Sequence, residues 1–392
     1  MARYRRIMRR TRLLVATLVI TQLVASPAGA AEAEPQPFLE GLAFPTNMAF
    51  LPDGTLLFTE KETGNVRVVT PVGELLDPPF ITLPVIPDAE RGLLGIAVHP
   101  DFEVEPWVYL YFSDPIDGLN RLVRVRADGV VATGDPETLL DGLSASAGYH
   151  NGGDMVFAAD GTLFVALGEA HESDRAQNED DIGGKVVRLT ADGGVPADNP
   201  FGGDNPVWSI GHRNSFGLCI DPRTGELWET ENGPNVDDEV NLIEEGANYG
   251  WPEVTGRAGD DRFVDPIVVF PAPIAVTGCA VIDGEVWFGS YDGRLWRLDA
   301  GARDAAEPDE MARFPTGVTD VLLGPDRVLY VATDDAIWTV VPRTEGTGAA
   351  TEPNPWRTWL AMGAIAVLIG ALGARFVAGR RLRDQRPGDS KA

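Results

Sequence analysis

The stretch DMVFAADGTLFVAL, residues 154–167, contains one complete unit of the predicted fold. An alternating apolar strand leads into a turn with Asp and Gly, and a second strand rich in Leu, Val and Phe follows. The same hairpin pattern returns as NMAFLPDGTLLFTE at residues 47–60 and as DVLLGPDRVLYVAT at residues 320–333. Further copies lie at residues 95–112, 217–229 and 279–289.

The six copies are spread along the chain at a long, fairly regular spacing. Their turn aspartates recur every 43 to 62 residues, which is enough for a four-stranded blade with its loops. A single hairpin cannot bury both faces, whereas a closed ring of hairpins leaves few free strand edges. The sequence therefore predicts an all-β protein, a six-bladed β-propeller over residues 31–340. A sandwich or a β-helix fits this spacing poorly.

Both ends of the chain depart from the repeat. Residues 1–30 carry six arginines and no acid, then a short apolar run and Ala28-Gly29-Ala30, which is typical of a cleaved signal peptide. Residues 356–379 are largely apolar and just long enough to span a bilayer, and residues 380–392 form a basic tail. The positive-inside rule then predicts an exported, extracytoplasmic domain. A C-terminal transmembrane helix would anchor it to the cytoplasmic membrane, with residues 341–355 as a flexible linker.

The charge balance limits the possible partners. The chain carries 32 basic and 59 acidic residues, a net charge of −27, and its two ends are basic, so the central domain is more acidic still. Such a surface repels nucleic acid and favours cations. Adaptation to salt is an equally good explanation of the acidity.

The two cysteines, Cys219 and Cys279, occupy similar places in adjacent hairpins. In an exported domain a disulfide persists, so a bridge near the axis is reasonable, with two buried thiols as the alternative. Without His or further Cys at ligand spacing, a zinc site is not expected.

The densest polar cluster is ENGPNVDDE at residues 231–239, directly after a predicted strand. Gly and Pro can turn carbonyl groups inward and the carboxylates supply hard oxygen ligands, a combination that suits calcium. A solvated acidic loop is the alternative in so acidic a chain.

Histidine is scarce, with four in the whole chain, so each is a candidate base. His150 lies in the glycine-rich loop YHNGG that enters an inner strand. His212 adjoins Arg213 and Asn214, a donor cluster suited to an anionic or carbonyl-bearing ligand. The two others have simpler interpretations: His99 belongs to a turn, and His171 to an exposed acidic run.

These segments resemble the soluble quinoprotein glucose/sorbosone dehydrogenase family, six-bladed propellers that bind pyrroloquinoline quinone (PQQ) and calcium. The similarity extends over most of residues 38–340. The matching stretches are GLLG to HPDF at residues 92–102, YHNGG at 149–153, GHRN at 211–214 and ENGPNVDDEVNLIEEGANYGWP at 231–252.

The resemblance implies a role for the residues that match by position. His150 would be the general base that takes the proton of the sugar C1 hydroxyl. Arg213 and Asn214 would contact the quinone carbonyls.

The resemblance also implies two calcium ions. The backbone carbonyls of Gly233 and Pro234 would hold the calcium that polarises the cofactor. Glu239 and Tyr249 would bind a second, structural calcium, with Asp260 a looser candidate.

Several positions depart from the family pattern. Where glucose-oxidising members carry a pair of arginines, this chain has GVTD at residues 317–320, and Asp292 stands near the place of an expected lysine. The missing cations would hold the carboxylates of the cofactor. Four further pocket positions differ: Glu90, Ala170 and Phe216 replace glutamines, and Phe270 replaces a tryptophan.

The leading hypothesis is a PQQ- and calcium-dependent dehydrogenase acting on C1 of an aldose or sugar aldehyde outside the cytoplasm. Its electrons would pass to an extracytoplasmic acceptor. The alternative, favoured by the missing cations, is a non-catalytic calcium-stabilised propeller that binds a glycan or a protein partner. A calcium-dependent lactonase-like hydrolase is a third hypothesis, from fold analogy alone.

Overall fold

The computed structural model describes residues 34–145 and 148–342. These residues form 24 strands and one short 3₁₀ helix, Ser173–Gln177. The predicted signal peptide, transmembrane helix and basic tail lie outside the described residues, as does most of the predicted linker. Within the ranges that are described, no helix is long and apolar enough to cross a membrane.

The strands form six antiparallel sheets of four strands each, which confirms the predicted six-bladed propeller. Blade 1 comprises β2 (Pro45–Phe50), β3 (Leu56–Glu60), β4 (Asn65–Val69) and β5 (Ile81–Thr82). Blade 2 comprises β6 (Leu93–Val98), β7 (Trp107–Ser113), β8 (Asn120–Asp128) and β9 (Val131–Leu143). Blade 3 comprises β10 (Met155–Phe157), β11 (Leu163–Leu167), β12 (Lys185–Leu189) and β13 (Val207–Ile210).

The second half of the ring repeats this order. Blade 4 comprises β14 (Ser215–Ile220), β15 (Leu227–Glu231), β16 (Asp238–Ile243) and β17 (Val268–Phe270). Blade 5 comprises β18 (Val276–Ile282), β19 (Glu285–Ser290), β20 (Arg294–Asp299) and β21 (Asp309–Arg313). Blade 6 comprises β22 (Val318–Leu323), β23 (Leu329–Thr333), β24 (Ala336–Val340) and the N-terminal strand β1 (Gln36–Glu40).

The ring closes through β1, which pairs with β24 from Gln36 opposite Thr339 to Glu40 opposite Ala336. The last blade therefore takes its outermost strand from the N-terminal side of the domain. The repeat predicted a closed ring, but β1 has no copy of the hairpin pattern and its pairing was not predicted.

The apolar core lies between neighbouring blades. Leu57 and Val66 of blade 1 share one buried cluster with Leu110 and Val123 of blade 2. The second strand of blade 1, β3, is buried along its whole length because a sheet covers each face. Burial of apolar surface on both faces of each sheet is the main stabilising contribution to this ring.

The innermost strands, beginning with β2, satisfy their backbone through polar side chains at the axis. Asn47 Oδ1 accepts the N–H of Ile96 at 2.8 Å. Asp154 Oδ2 accepts the N–H of Leu218 at 2.7 Å, and Asp320 Oδ2 accepts the N–H of Met48 at 2.9 Å. Each bond joins two adjacent blades, whose inner strands belong to separate sheets.

Cys219 of β14 and Cys279 of β18 form a disulfide. The bond links the innermost strands of blades 4 and 5, which resolves the choice left open by the sequence in favour of the bridge.

Candidate active site

A cavity of about 510 Å³ opens at one end of the propeller axis. It is lined where the inner strands begin, at Thr46 and Thr319, and where the second strands end, at Lys61 and Tyr291. In an antiparallel hairpin the start of the first strand lies beside the end of the second, so all these positions face one mouth. The loops that carry His150, Arg213 and Gly233 converge here, since all three residues line this cavity.

His150 is buried and is held on two sides. Its backbone, in the left-handed region at φ 56°, donates its N–H to Glu90 Oε2 at 2.7 Å. Its Nδ1 lies 2.9 Å from Glu169 Oε1. The carboxylate can only accept there, so Nδ1 carries the proton and the Nε2 lone pair is left for a ligand. This arrangement is that of an oriented general base.

Glu169 is a site residue that the sequence analysis missed. It follows the end of β11, at the same mouth as His150, and is almost fully buried. A signal was available in the sequence, because an acid directly after a buried strand needs a partner. The backbone N–H of Glu169 also donates to the Arg213 carbonyl at 3.0 Å, so Glu169 contacts both His150 and Arg213.

His171 lies beside His150 with ring centroids 4.0 Å apart. It is exposed, as the sequence suggested, but it belongs to the rim of the site and not to an unrelated surface.

Arg213 and Asn214 line the cavity opposite Lys61, since they precede blade 4 and Lys61 follows β3 of blade 1. Arg213 Nη1 donates to the carbonyls of Asn232 and Gly233, each at 2.8 Å. The guanidinium is therefore anchored to the loop that was predicted to hold calcium.

His212, one of the four candidate bases, does not line the cavity. It is fully buried, with Nδ1 3.1 Å from both Glu229 Oε1 and Glu231 Oε2. Burial alone lowers the pKa of His212, but the two carboxylates outweigh it and raise that pKa to about 10. These three groups could also surround a metal ion, lying within 4.8 Å of one another. A protonated imidazole already balances the acids, so we interpret the cluster as structural.

The predicted calcium loop adjoins a second, small cavity. Gly233, Pro234, Glu239 and Tyr249 all line it. Asp238 is not available as a ligand, because its carboxylate accepts the N–H groups of Gly233, Ile274 and Ala275.

Glu239 is one of three acidic residues that line the small cavity, with Glu231 and Asp237. Burial, together with repulsion from Glu231, raises the pKa of Glu239 well above its usual value. The Tyr249 hydroxyl donates to the Leu242 carbonyl at 2.6 Å and accepts the Glu244 N–H at 2.8 Å, so the backbone carbonyl of Tyr249 is the atom left as a ligand. Asp260, the looser candidate, does not line this cavity and is paired with Arg262.

The positions that depart from the family pattern divide into two groups. Glu90, Phe216, Thr319 and Asp320 line the main cavity. The others do not line it: Ala170 is buried, Asp292 is paired with Arg294, and Phe270 packs in the core against Phe288 and Trp296. Phe270 therefore cannot stack on a ligand as the matching tryptophan was expected to do.

Comparisons with a family model and with known proteins identify the same family. The family model for glucose/sorbosone dehydrogenase matches residues 42–339. The aldose sugar dehydrogenase YliI of Escherichia coli is 30% identical over 75% of this chain and 88% of its own. The quinoprotein glucose dehydrogenase B of Acinetobacter calcoaceticus is 31% identical over 64% of this chain and 60% of its own.

Solved structures agree with the sequence comparison. The PQQ-bound aldose sugar dehydrogenase of Streptomyces coelicolor superimposes with a TM-score of 0.72 at 32% identity. The match covers 80% of this chain and 99% of that enzyme.

Proposed function

Because this chain belongs to the glucose/sorbosone dehydrogenase family, we propose that it oxidises C1 of an aldose or sugar aldehyde with PQQ and calcium. The observation that carries the proposal is His150 in the wall of the axial cavity, oriented by its contact with Glu169, with Arg213 and Asn214 lining the same cavity. Together they provide a base, an orienting carboxylate and cationic and amide donors in one enclosed space.

The chain's own residues account for the handling of protons. His150 Nε2 accepts the proton of the C1 hydroxyl, and Glu169 stabilises the imidazolium that forms. Glu90 fixes the backbone of His150 and thereby the direction of the ring. The buried position of both His150 and Glu169 strengthens their mutual attraction.

The cavity fits a planar quinone with carboxylate groups. Asn214 and Arg213 supply donors for carbonyl oxygens, and Phe44 and Tyr291 supply aromatic surface. The rest of the wall includes Lys61 and the acids Glu90, Asp154, Asp238 and Asp320. When bound, the quinone would supply the acceptor for the two electrons that leave C1.

The loop at Gly233 fits calcium. The small cavity is lined by a buried carboxylate, Glu239, and by a tight turn at Gly233, where a Cβ would lie 2.0 Å from the Val236 carbonyl. Two nearby amide oxygens, Asn232 Oδ1 and Asn241 Oδ1, are buried without a hydrogen-bond partner in the described residues. Oxygen atoms of this kind are what calcium prefers.

We extend the proposal to the location of the protein, an exported domain tethered by residues 356–379 and passing electrons to an extracytoplasmic acceptor. The signal-like residues 1–30 and the Cys219–Cys279 disulfide support it, because disulfides persist in oxidising compartments. Protease added to intact spheroplasts should digest the domain. Protection of the domain until the cells are lysed would contradict the predicted orientation.

Dye-linked sugar oxidation tests the activity. Purified protein should reduce the dye with aldoses when PQQ and calcium are both present, and chelation of calcium should abolish the reaction. His150→Ala should lower kcat by about 10²–10⁴-fold with an unchanged melting temperature, because it removes the base. His99→Ala, in a turn outside the cavity, is the matched control and should keep full activity.

The same assay separates the rival functions. If PQQ neither binds nor supports dye reduction while calcium still raises the melting temperature, the protein is the non-catalytic, calcium-stabilised propeller. Release of acid from a sugar lactone without any dye would instead indicate a hydrolase.

A further inference from the structure

Lys61 is a buried cation in the wall of the axial cavity. Only 8% of the residue is exposed, and it lies directly after β3 in blade 1. Its ammonium group stands 5.0 Å from the centre of the Phe44 ring. Within the described residues the ammonium makes no hydrogen bond or ion pair.

A buried ammonium without a hydrogen-bond or ion-pair partner is costly, so its presence calls for a reason beyond the contact with Phe44. Burial lowers the pKa of Lys61, and the charges of Glu62, Asp88 and Glu90 oppose that effect only partly. The two of these acids nearest to the cavity are engaged elsewhere: Asp88 pairs with Arg91, and Glu90 accepts the His150 N–H.

The surrounding backbone holds Lys61 in this position. The Lys61 N–H donates to the Phe44 carbonyl at 2.9 Å, and the Leu93 N–H donates to the Lys61 carbonyl at 3.3 Å. A Cβ on Gly92 would lie 2.5 Å from Lys61 Cγ, so the glycine leaves space for the lysine stem. The side chain is therefore built into the junction of blades 1 and 2.

Lys61 and Arg213 are placed on opposite sides of the cavity, because blade 4 is opposite blade 1 in a ring of six. Apart from His150, they are the basic side chains in the described wall. The positions where the family resemblance implies cations are uncharged or acidic here, at Thr319, Asp320 and Asp292. Asp292 is moreover occupied by Arg294.

We propose that Lys61 binds a carboxylate group of the quinone, supplying from blade 1 the positive charge that this chain lacks in blades 5 and 6. The proposal rests on the proposed function and names a cofactor-binding residue in addition to Arg213 and Asn214. A planar polycarboxylate would lie across the axis, with one acid group at Lys61 and its carbonyl edge toward Arg213.

The test is calorimetric titration of PQQ into the calcium-loaded full-length protein. Lys61→Met keeps the apolar stem and removes the charge, and should weaken quinone binding by about 10–100-fold, the effect of one charge-assisted hydrogen bond. Lys61→Arg should retain most of the affinity. Arg327→Met, which removes an exposed charge that pairs with Asp283 outside the cavity, should bind as the wild type does.

A second measurement shows whether Lys61→Met folds. In the absence of quinone its melting temperature should equal or exceed that of the wild type, because an unpaired buried charge has been removed. At saturating quinone the KM for sugar should be unchanged.

The outcomes are distinct. If the wild type binds quinone and Lys61→Met binds it equally well, or if only the KM for sugar changes, Lys61 is not a quinone ligand although the proposed function stands. If the wild type itself binds no quinone, both proposals fail.

Discussion

At the scale of single residues, the orientation of His150 depends on a carboxylate 19 positions further along the chain. Glu169 contacts Nδ1 and is itself held by the Glu172 N–H at 2.9 Å. It touches the base and not the ligand, so we regard it as a positioning residue.

Glu169→Gln should therefore lower kcat about tenfold or more and leave the KM for sugar unchanged. The oxygen of the neutral amide can still accept the hydrogen bond from Nδ1–H, but it stabilises an imidazolium less than a carboxylate does. Glu169→Asp should recover part of the activity. Glu172→Gln, an exposed acid of the same loop, is the control, and an equal loss in both variants would show that only the loop's charge matters.

The sequence identified residues that stand in short motifs. His150, Arg213 and Gly233 each lie in a Gly-rich or Pro-bearing loop after a strand, and all three were placed correctly. Lys61 and Glu169 lie in no such motif. Their roles come from antiparallel pairing, which brings the end of one strand beside the start of another.

At the scale of strands, the hairpin repeat predicted the fold because each Asp/Gly turn joins two strands whose side chains alternate. The polar contacts between inner strands at the axis were not predicted. There Asn47, Asp154 and Asp320 bridge neighbouring inner strands, and Gly278 must lack a side chain because a Cβ would meet Asp320 Oδ1 at 2.2 Å. Such contacts depend on the closure of the whole ring.

The two axial aspartates make stability depend on pH. Burial raises the pKa of Asp154 to about 6, although three N–H donors oppose the shift. Burial and the charge of Asp154 raise the pKa of Asp320 well above its usual value. The folded protein therefore holds protons that the unfolded chain has already released above its ordinary aspartate pKa near 3.8.

It follows that the pair's contribution to the free energy of unfolding falls as the pH rises from about 4 to 6. The change should be on the order of 3 kcal/mol from Asp154. Asp320→Asn should flatten this dependence, because it removes one of the two buried carboxyls that titrate, whereas Asp326→Asn in an exposed turn should not. Urea unfolding at a series of pH values between 4 and 7 measures the free energy of unfolding. If this free energy changed equally with pH in the wild type and in Asp320→Asn, the explanation would be refuted.

At the scale of the whole molecule, β1 closes the ring and the disulfide joins blades 4 and 5, so the loops of all six blades keep a fixed relation at one mouth. The sequence predicted six blades. It did not predict which cations face the cavity, since the wall is assembled from residues as far apart as Phe44 and Asp320.

The central claim is that this cavity binds a quinone between Lys61 and Arg213, beside His150. The most direct test is a crystal structure of the protein soaked with PQQ and calcium. Density for the quinone should lie in the axial cavity, with a carboxylate at Lys61, its carbonyl edge at Arg213 and Asn214, and calcium at the Gly233 carbonyl. A cavity without quinone at saturating concentration, or quinone bound only on the outer surface, would contradict the claim.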